Sequence, residues 1–233
     1  MFTSTTQEQA GTQLGLWYTT MIVSLLATVC ISVVMIQDIG ASSIFTWHPI
    51  LMTISFLVCM TQGLHSYYLG FGTTTTSNDD TSSSLLSLSL SSREYHGILM
   101  MSAFVTAMGG YGAIFLAHSH GKGHTAGGDP VVKQLHTWFG YLILGAMVVQ
   151  SMMGILKYTL LKRKKEKFAS WHGVLGPILW FSGCMNILSG VYFWSSTSYP
   201  GTIQTLTALS IITTVAITIL FKTNNTTNND SSK

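Results

Sequence analysis

Residues 47–70 read WHPILMTISFLVCMTQGLHSYYLG, a run without a single Asp, Glu, Lys or Arg. An α-helix rises 1.5 Å per residue and the hydrocarbon core of a bilayer is about 30 Å thick, so an uncharged stretch of this length reads as a membrane crossing. Moving outward from it, five further stretches have the same character, over residues 15–37, 95–117, 134–157, 171–194 and 203–221. Polar segments separate them, among them TTTTSNDDTSSS at 73–84, HSHGKGHTAGGDP at 118–130 and KRKKEK at 162–167. Backbone in such segments would be unpaired in lipid, so they mark the places where the chain leaves it. The expected fold is all-α: an integral membrane bundle of six helices over residues 15–222, with a polar N-terminal tail at 1–14 and a disordered Asn- and Thr-rich tail at 223–233.

Composition agrees. Charged residues are 8% of the 233 and hydrophobic residues 47%, a balance that excludes an ordinary water-soluble domain. Cys30, Cys59 and Cys184 are odd in number, widely spaced and inside apolar runs, so neither a disulfide framework nor a zinc site is expected. The opening MFTSTTQEQAGTQ carries no basic residue and does not read as a cleavable signal. Five of the six tryptophans, Trp17, Trp47, Trp138, Trp171 and Trp194, fall at the expected helix ends, where an amphipathic ring sits among headgroups; Trp180 is mid-span.

Basic residues set the orientation. Arg93, Lys157, Lys162, Arg163, Lys164, Lys165, Lys167, Lys222 and Lys233 share one side, against Lys122 and Lys133 on the other, which places both termini in the cytoplasm. The glycosylation matches at Asn224, Asn225 and Asn229 then face the cytosol and carry no meaning. KRKKEK reads equally well as a topology signal and as a field that gathers an anionic substrate.

Ionisable side chains at membrane depth are costly, so histidines there are functional candidates. His48 in FTWHPILM, His96 in REYHGILM, His136 in QLHTWFGY and His172 in SWHGVLGP each lie about one turn into the second to fifth crossings. Consecutive crossings alternate in direction, so the four sort by depth: His48 with His136 near the non-cytoplasmic face, His96 with His172 near the cytoplasmic one. Two imidazoles opposed at one depth make an axial site for haem iron, which takes one nitrogen from each side of the macrocycle. A lone histidine at a helix end is more often an interfacial residue; four at matched depth on four successive helices favour two haem b groups in a four-helix core. Their irons would stand on the order of 20 Å apart. Zinc fits less well, because it takes three or four protein ligands and each depth supplies two. The glycines of these helices, such as Gly97, Gly110, Gly140 and Gly176, suit a flat macrocycle and suit close helix packing equally. His65 points about 100° away from His48 and is assigned to packing. His118, His120 and His124 read as solvated loop residues, or as a metal-gathering mouth.

These motifs carry a resemblance. IFTWHPILM around His48, followed in order by YHGILM, LHTWFGY and WHGVLG, resembles the cytochrome b561 family over residues 15–222, in particular its short transmembrane reductase branch. The resemblance implies an ascorbate-driven oxidoreductase: cytosolic ascorbate as donor, two b-type haems held by His48 and His136 and by His96 and His172, and ferric iron chelate or monodehydroascorbate as the outer acceptor. It implies that Arg93 greets ascorbate at the inner mouth and that His118 stands at the outer substrate mouth. It also implies homodimers, contact with membrane lipid, no nucleic-acid partner, no covalent catalytic side chain, and residence in an endomembrane vesicle, the endoplasmic reticulum or the plasma membrane. Competing readings are a haem-bearing electron-transfer subunit of a larger membrane complex and a haem-free metal-binding or transport protein.

Overall fold

The computed structural model describes residues 3–66, 91–119, 131–164, 171–193 and 201–230, all of them helical or in short turns. Helix α1 spans Thr3–Asp38; α2, Ile44–Thr53, continues through a π-helical stretch, Ile54–Met60, into α3, Thr61–His65, and the three make one crossing. Helices α4 (Ser92–Ser119), α5 (Val131–Lys164), α6 (His172–Phe193) and α7 (Thr202–Asp230) follow. Five stretches are long and apolar enough to span a membrane: Leu14–Asp38, Ile44–His65, Ser92–Ser119, Lys133–Arg163 and His172–Tyr192. The apolar part of α7, Gln204–Leu220, is shorter among the described residues.

The surface identifies the solvent. Ile22, Val105, Leu142, Met152 and Val174 are between 62% and 68% exposed, the reverse of what water enforces and what hydrocarbon accepts. Many buried positions hold small or polar side chains, among them Thr20, Ser24 and Thr28 on α1, Ala103 and Ala107 on α4, Thr207 and Thr214 on α7, beside apolar ones such as Leu57, Trp180 and Ile211. Small residues let helix backbones approach where no hydrophobic force drives them together. Several of the hydroxyls are satisfied within the helix, as when Thr28 Oγ1 donates to the Ser24 carbonyl at 2.9 Å and Thr214 Oγ1 to that of Ser210 at 2.9 Å.

The helices close into a ring. The second crossing packs on α4, α4 on α5, α5 on α6, and α6 returns to the second crossing. The second crossing and α5 are therefore diagonal partners, as are α4 and α6. Helices α1 and α7 pair with each other outside this ring, against the second crossing and α6.

Local chemistry sets where each ring helix starts. Ser91 and Glu94 form a capping box: the Ser91 N–H and hydroxyl donate to Glu94 Oε2 (3.0 and 2.8 Å), and the Glu94 N–H donates back to Ser91 Oγ (3.3 Å). The turn from α1 to α2 rests on Gly40, whose φ of +95° suits a residue without a Cβ. Its carbonyl accepts from Thr46 Oγ1 at 2.8 Å, tying turn to helix just ahead of His48. In the second crossing, Pro49 removes a backbone donor early in α2. The wide π turns follow, where Thr61 Oγ1 reaches back five residues to the Phe56 carbonyl at 3.2 Å.

Helix α1 begins at Thr3 and α7 runs to Asp230, so both helices extend beyond the apolar stretches at 15–37 and 203–221. Propagating an existing helix adds one hydrogen bond per residue and needs no new nucleus, so helix outruns the apolar segment that anchors it. Of the tryptophans, Trp47, Trp138 and Trp171 are 45–67% exposed near helix starts, as interfacial rings should be. Trp180 is buried and donates to Thr61 Oγ1 at 3.0 Å. Trp194, Lys122, the loop at 73–84 and the second half of KRKKEK lie outside the described residues.

Candidate functional site

Each ring histidine stands in or just beyond the first turn of its helix, and three of the four are clamped by a neighbouring helix. His48 Nδ1–H donates to the Gly110 carbonyl of α4 at 3.0 Å, and His96 Nδ1–H of α4 donates back to the Gly63 carbonyl of the second crossing at 2.8 Å. On the other pair, His136 Nδ1–H of α5 meets the Asn186 carbonyl of α6 at 2.9 Å, with Ser189 Oγ 3.0 Å away. These contacts fix the antiparallel sense of both pairs. The rings of His96 and His172 face each other with centroids 6.5 Å apart and planes at 82°. Helices α4 and α6 therefore begin at one end of the bundle, and the second crossing and α5, with His48 and His136, begin at the other.

The clamps follow a ruler. From His96 to Gly110 is 14 residues (110 − 96), and from His172 to Asn186 is 14 (186 − 172). Fourteen residues rise about 21 Å and turn to within about 40° of the starting azimuth, so a histidine at one end and a clamp at the other share a face. On the second crossing the interval from His48 to Gly63 is 15 (63 − 48), and the π-helical stretch between them absorbs the extra residue.

The residues fit a bis-histidine haem. A neutral imidazole that donates through Nδ1 carries its lone pair on Nε2, and a carbonyl on the far nitrogen is the usual way a metal-binding histidine is oriented. Two metal–nitrogen bonds of roughly 2 Å plus the two half-rings span about 6 Å, close to the gap between His96 and His172. Glycine leaves room beside the rings: a Cβ on Gly154 would stand 3.2 Å from His172 Cε1, and one on Gly190 3.0 Å from His136 Cε1. Among the described residues no group of three or more His, Cys, Asp or Glu could hold a metal, so paired imidazoles are what the described fold offers iron.

At the end where α4 and α6 begin, Arg93 is exposed in the first turn of α4, just ahead of His96. Glu94 beside it faces Lys162 and Tyr158 of α5, and Lys157 lies within electrostatic reach of both His96 and His172. At the opposite end, His118 closes α4, its Nδ1–H on the Ile114 carbonyl at 2.6 Å and its ring 6.5 Å from that of Phe45. It lines a cleft of about 410 Å³ with Ser42, Ser43, Ile44, Phe45 and Leu116, on the side where α2 begins with His48. His120 and His124 lie outside the described residues.

His65 is fully buried, between Thr20 Oγ1 of α1 (3.3 Å) and Thr218 Oγ1 of α7 (3.2 Å), a packing role outside the ring. Sequence reasoning passed over Gln62 and Gln150. Both are buried, and each stands 14 residues after a ring histidine (62 − 48 and 150 − 136). Gln150 Nε2–H donates to the His172 carbonyl at 2.7 Å. A polar side chain recurring at the ruler interval on an apolar face was the available signal.

Histidines presented at two levels of a helical membrane bundle define a membrane-bound electron-transfer haem protein. Residues 47–196 match the family model of eukaryotic cytochrome b561, and the chain belongs to that family of haem b proteins, which carry electrons across membranes. The match takes in all four ring histidines. The chain is also similar to transmembrane reductase CYB561D2 from Bos taurus, 28% identical over 186 residues that cover 76% of this chain and 74% of the bovine protein. No solved structure matches it.

Proposed function

We propose that the chain is a transmembrane reductase that takes electrons from cytosolic ascorbate and delivers them to a non-cytoplasmic acceptor, ferric iron chelate or monodehydroascorbate. His96 and His172 hold one haem b and His48 and His136 a second. When bound, the groups would supply one-electron chemistry, and a histidine pair at each would suit them to electron transfer rather than to oxygen binding. The carrying observation is the facing of His96 and His172 across a gap wide enough for iron.

The chain's own residues orient and guide. Carbonyl clamps from Gly63, Gly110 and Asn186 hold three imidazoles in the tautomer that aims Nε2 at a metal. Arg93, Lys157 and Lys162 give the inner mouth a positive field, which draws ascorbate, an anion at neutral pH. His118, in its cleft, presents a side chain that can bind ferric iron or donate to an oxyanion. The excess of basic residues on one side supports a cytoplasmic inner mouth and cytoplasmic termini. The apolar part of α7 makes the sixth crossing.

The test is purified protein in vesicles loaded with ascorbate, facing an external ferric chelate. Reduction outside, with a six-coordinate low-spin spectrum and two haems per chain, supports the reading. Haem without reduction of any external acceptor points to a subunit that passes electrons only to another protein; a colourless protein that still takes up metal points to a haem-free carrier.

A further inference from the structure

The clamps are incomplete at one position. His48, His96 and His136 each place Nδ1–H on a carbonyl of the paired helix, but His172 Nδ1 is buried with no hydrogen-bond partner among the described residues. The ruler says where its partner belongs. Within the second crossing and α4 each histidine is held from a point 14 or 15 residues beyond the other helix's own histidine. Within α5 and α6 the same rule holds for His136, and for His172 it points to residue 150 (136 + 14).

Gln150 is there. It is 8% exposed, and its Nε2–H already donates to the His172 carbonyl at 2.7 Å. Its other atom, Oε1, is buried with no partner among the described residues. One residue thus leaves an acceptor unmet beside another residue that leaves a donor unmet, and each such atom is costly in a dry interior. The terminal torsion of glutamine is soft and a single water bridges such pairs readily, so both atoms can be satisfied together.

We propose that Gln150 Oε1 is the acceptor for His172 Nδ1–H, which makes Gln150 a positioning residue that sets the basicity of this ligand and the reduction potential of the inner haem. The inference rests on the haem reading above. A partner on the far nitrogen makes imidazole a stronger donor to the metal and favours the ferric state, so losing it raises the potential and weakens the ligand field.

Redox titration and low-spin EPR of the full-length protein, wild type against Gln150→Met and Gln150→Glu, test this. In Gln150→Met one of two potential steps rises and the g-values assigned to that haem move, while the other haem is unchanged. In Gln150→Glu, a stronger acceptor, the same step falls and the g-values move the opposite way. Variants that shift in the same direction would show that Gln150 only ties the backbone through Nε2, a contact both substitutions remove. Unchanged g-values, with or without a change in potential, also overturn the proposal. If Gln150→Met holds too little haem, Gln150→Glu decides alone: a fall with altered g-values supports the proposal, anything else sinks it. A wild type without two low-spin titration steps would fail the haem reading itself, whereas a normal wild type with silent variants fails only the role of Gln150.

Discussion

In the α1/α7 pair His65 is fully buried and both its ring nitrogens meet threonine hydroxyls, Thr20 at 3.3 Å and Thr218 at 3.2 Å. In the ring, the first nitrogen of His48, His96 and His136 goes to a backbone carbonyl of the facing helix, which orients the second as a lone-pair donor. In the proposed function the same side chain serves as a structural rivet in one place and a metal grip in the other. What differs is the neighbouring surface. A seam of Thr and Ser offers hydroxyls on both sides of His65, while glycines and helix carbonyls offer the ring histidines one acceptor and open space. The matched family segment, residues 47–196, takes in all four ring histidines and leaves out α1 and α7.

The largest effect that would sharpen this contrast comes from His96→Ala or His172→Ala set against His65→Leu. Either ring variant removes an axial nitrogen, and pyridine haemochrome assay should find haem per chain cut by about half, with loss of the low-spin spectrum of that site. His65→Leu should leave haem content unchanged and lower thermal stability by about 1–3 kcal/mol, from loss of the imidazole contacts to Thr20 Oγ1 and Thr218 Oγ1, whose hydroxyls keep only their backbone partners. Haem lost in His65→Leu and kept in the ring variants would reverse the assignment.

Gly154→Val is expected next. Exchanging glycine for a residue of higher helix propensity ordinarily gains a few tenths of a kcal/mol in a helix interior. Here the new Cβ stands 3.2 Å from His172 Cε1 and the branched methyls must displace the ring, so haem occupancy falls while the helical circular dichroism signal persists. Thr218→Val, on the pair, should cost about 1 kcal/mol in thermal or chemical unfolding, with the haem spectrum unmoved. Smallest is Trp180→Phe. It removes the bond to Thr61 Oγ1 and should cost about 1 kcal/mol or less, read as a small drop in melting temperature with two haems retained.

Much of the ring was legible in the sequence because it depends on two constants, helix rise and alternating direction. These place His96 with His172 at one end and His48 with His136 at the other, and the structure has that placement. The assignment of His65 to packing follows from helical azimuth, and its burial between α1 and α7 agrees. The clamps could not be read in advance. Which carbonyl meets Nδ1 depends on the neighbour's identity and rotation, and a single sequence specifies each helix's own face but not the face opposite. The π-helical stretch escaped for a related reason: ISFLVCM has the apolar composition of any buried helix, and nothing in it announces a wider turn. Hydropathy detects contact with lipid and not helix: the apolar stretch at 15–37 agrees with the candidate span Leu14–Asp38, while the helix itself starts at Thr3.

The 14-residue interval has a further consequence for how such a protein can be matched to different membranes. Inserting one residue between a histidine and the clamp on the same helix would swing one of them by about 100° and break two helices' alignment together. The single extra residue that is present, on the second crossing, coincides with a locally unwound stretch. Bilayer thickness therefore has to be accommodated beyond the histidines and their clamps, at the helix tips. The mid-section is a part of fixed length, and mismatch with lipid is met by tilt or by longer ends.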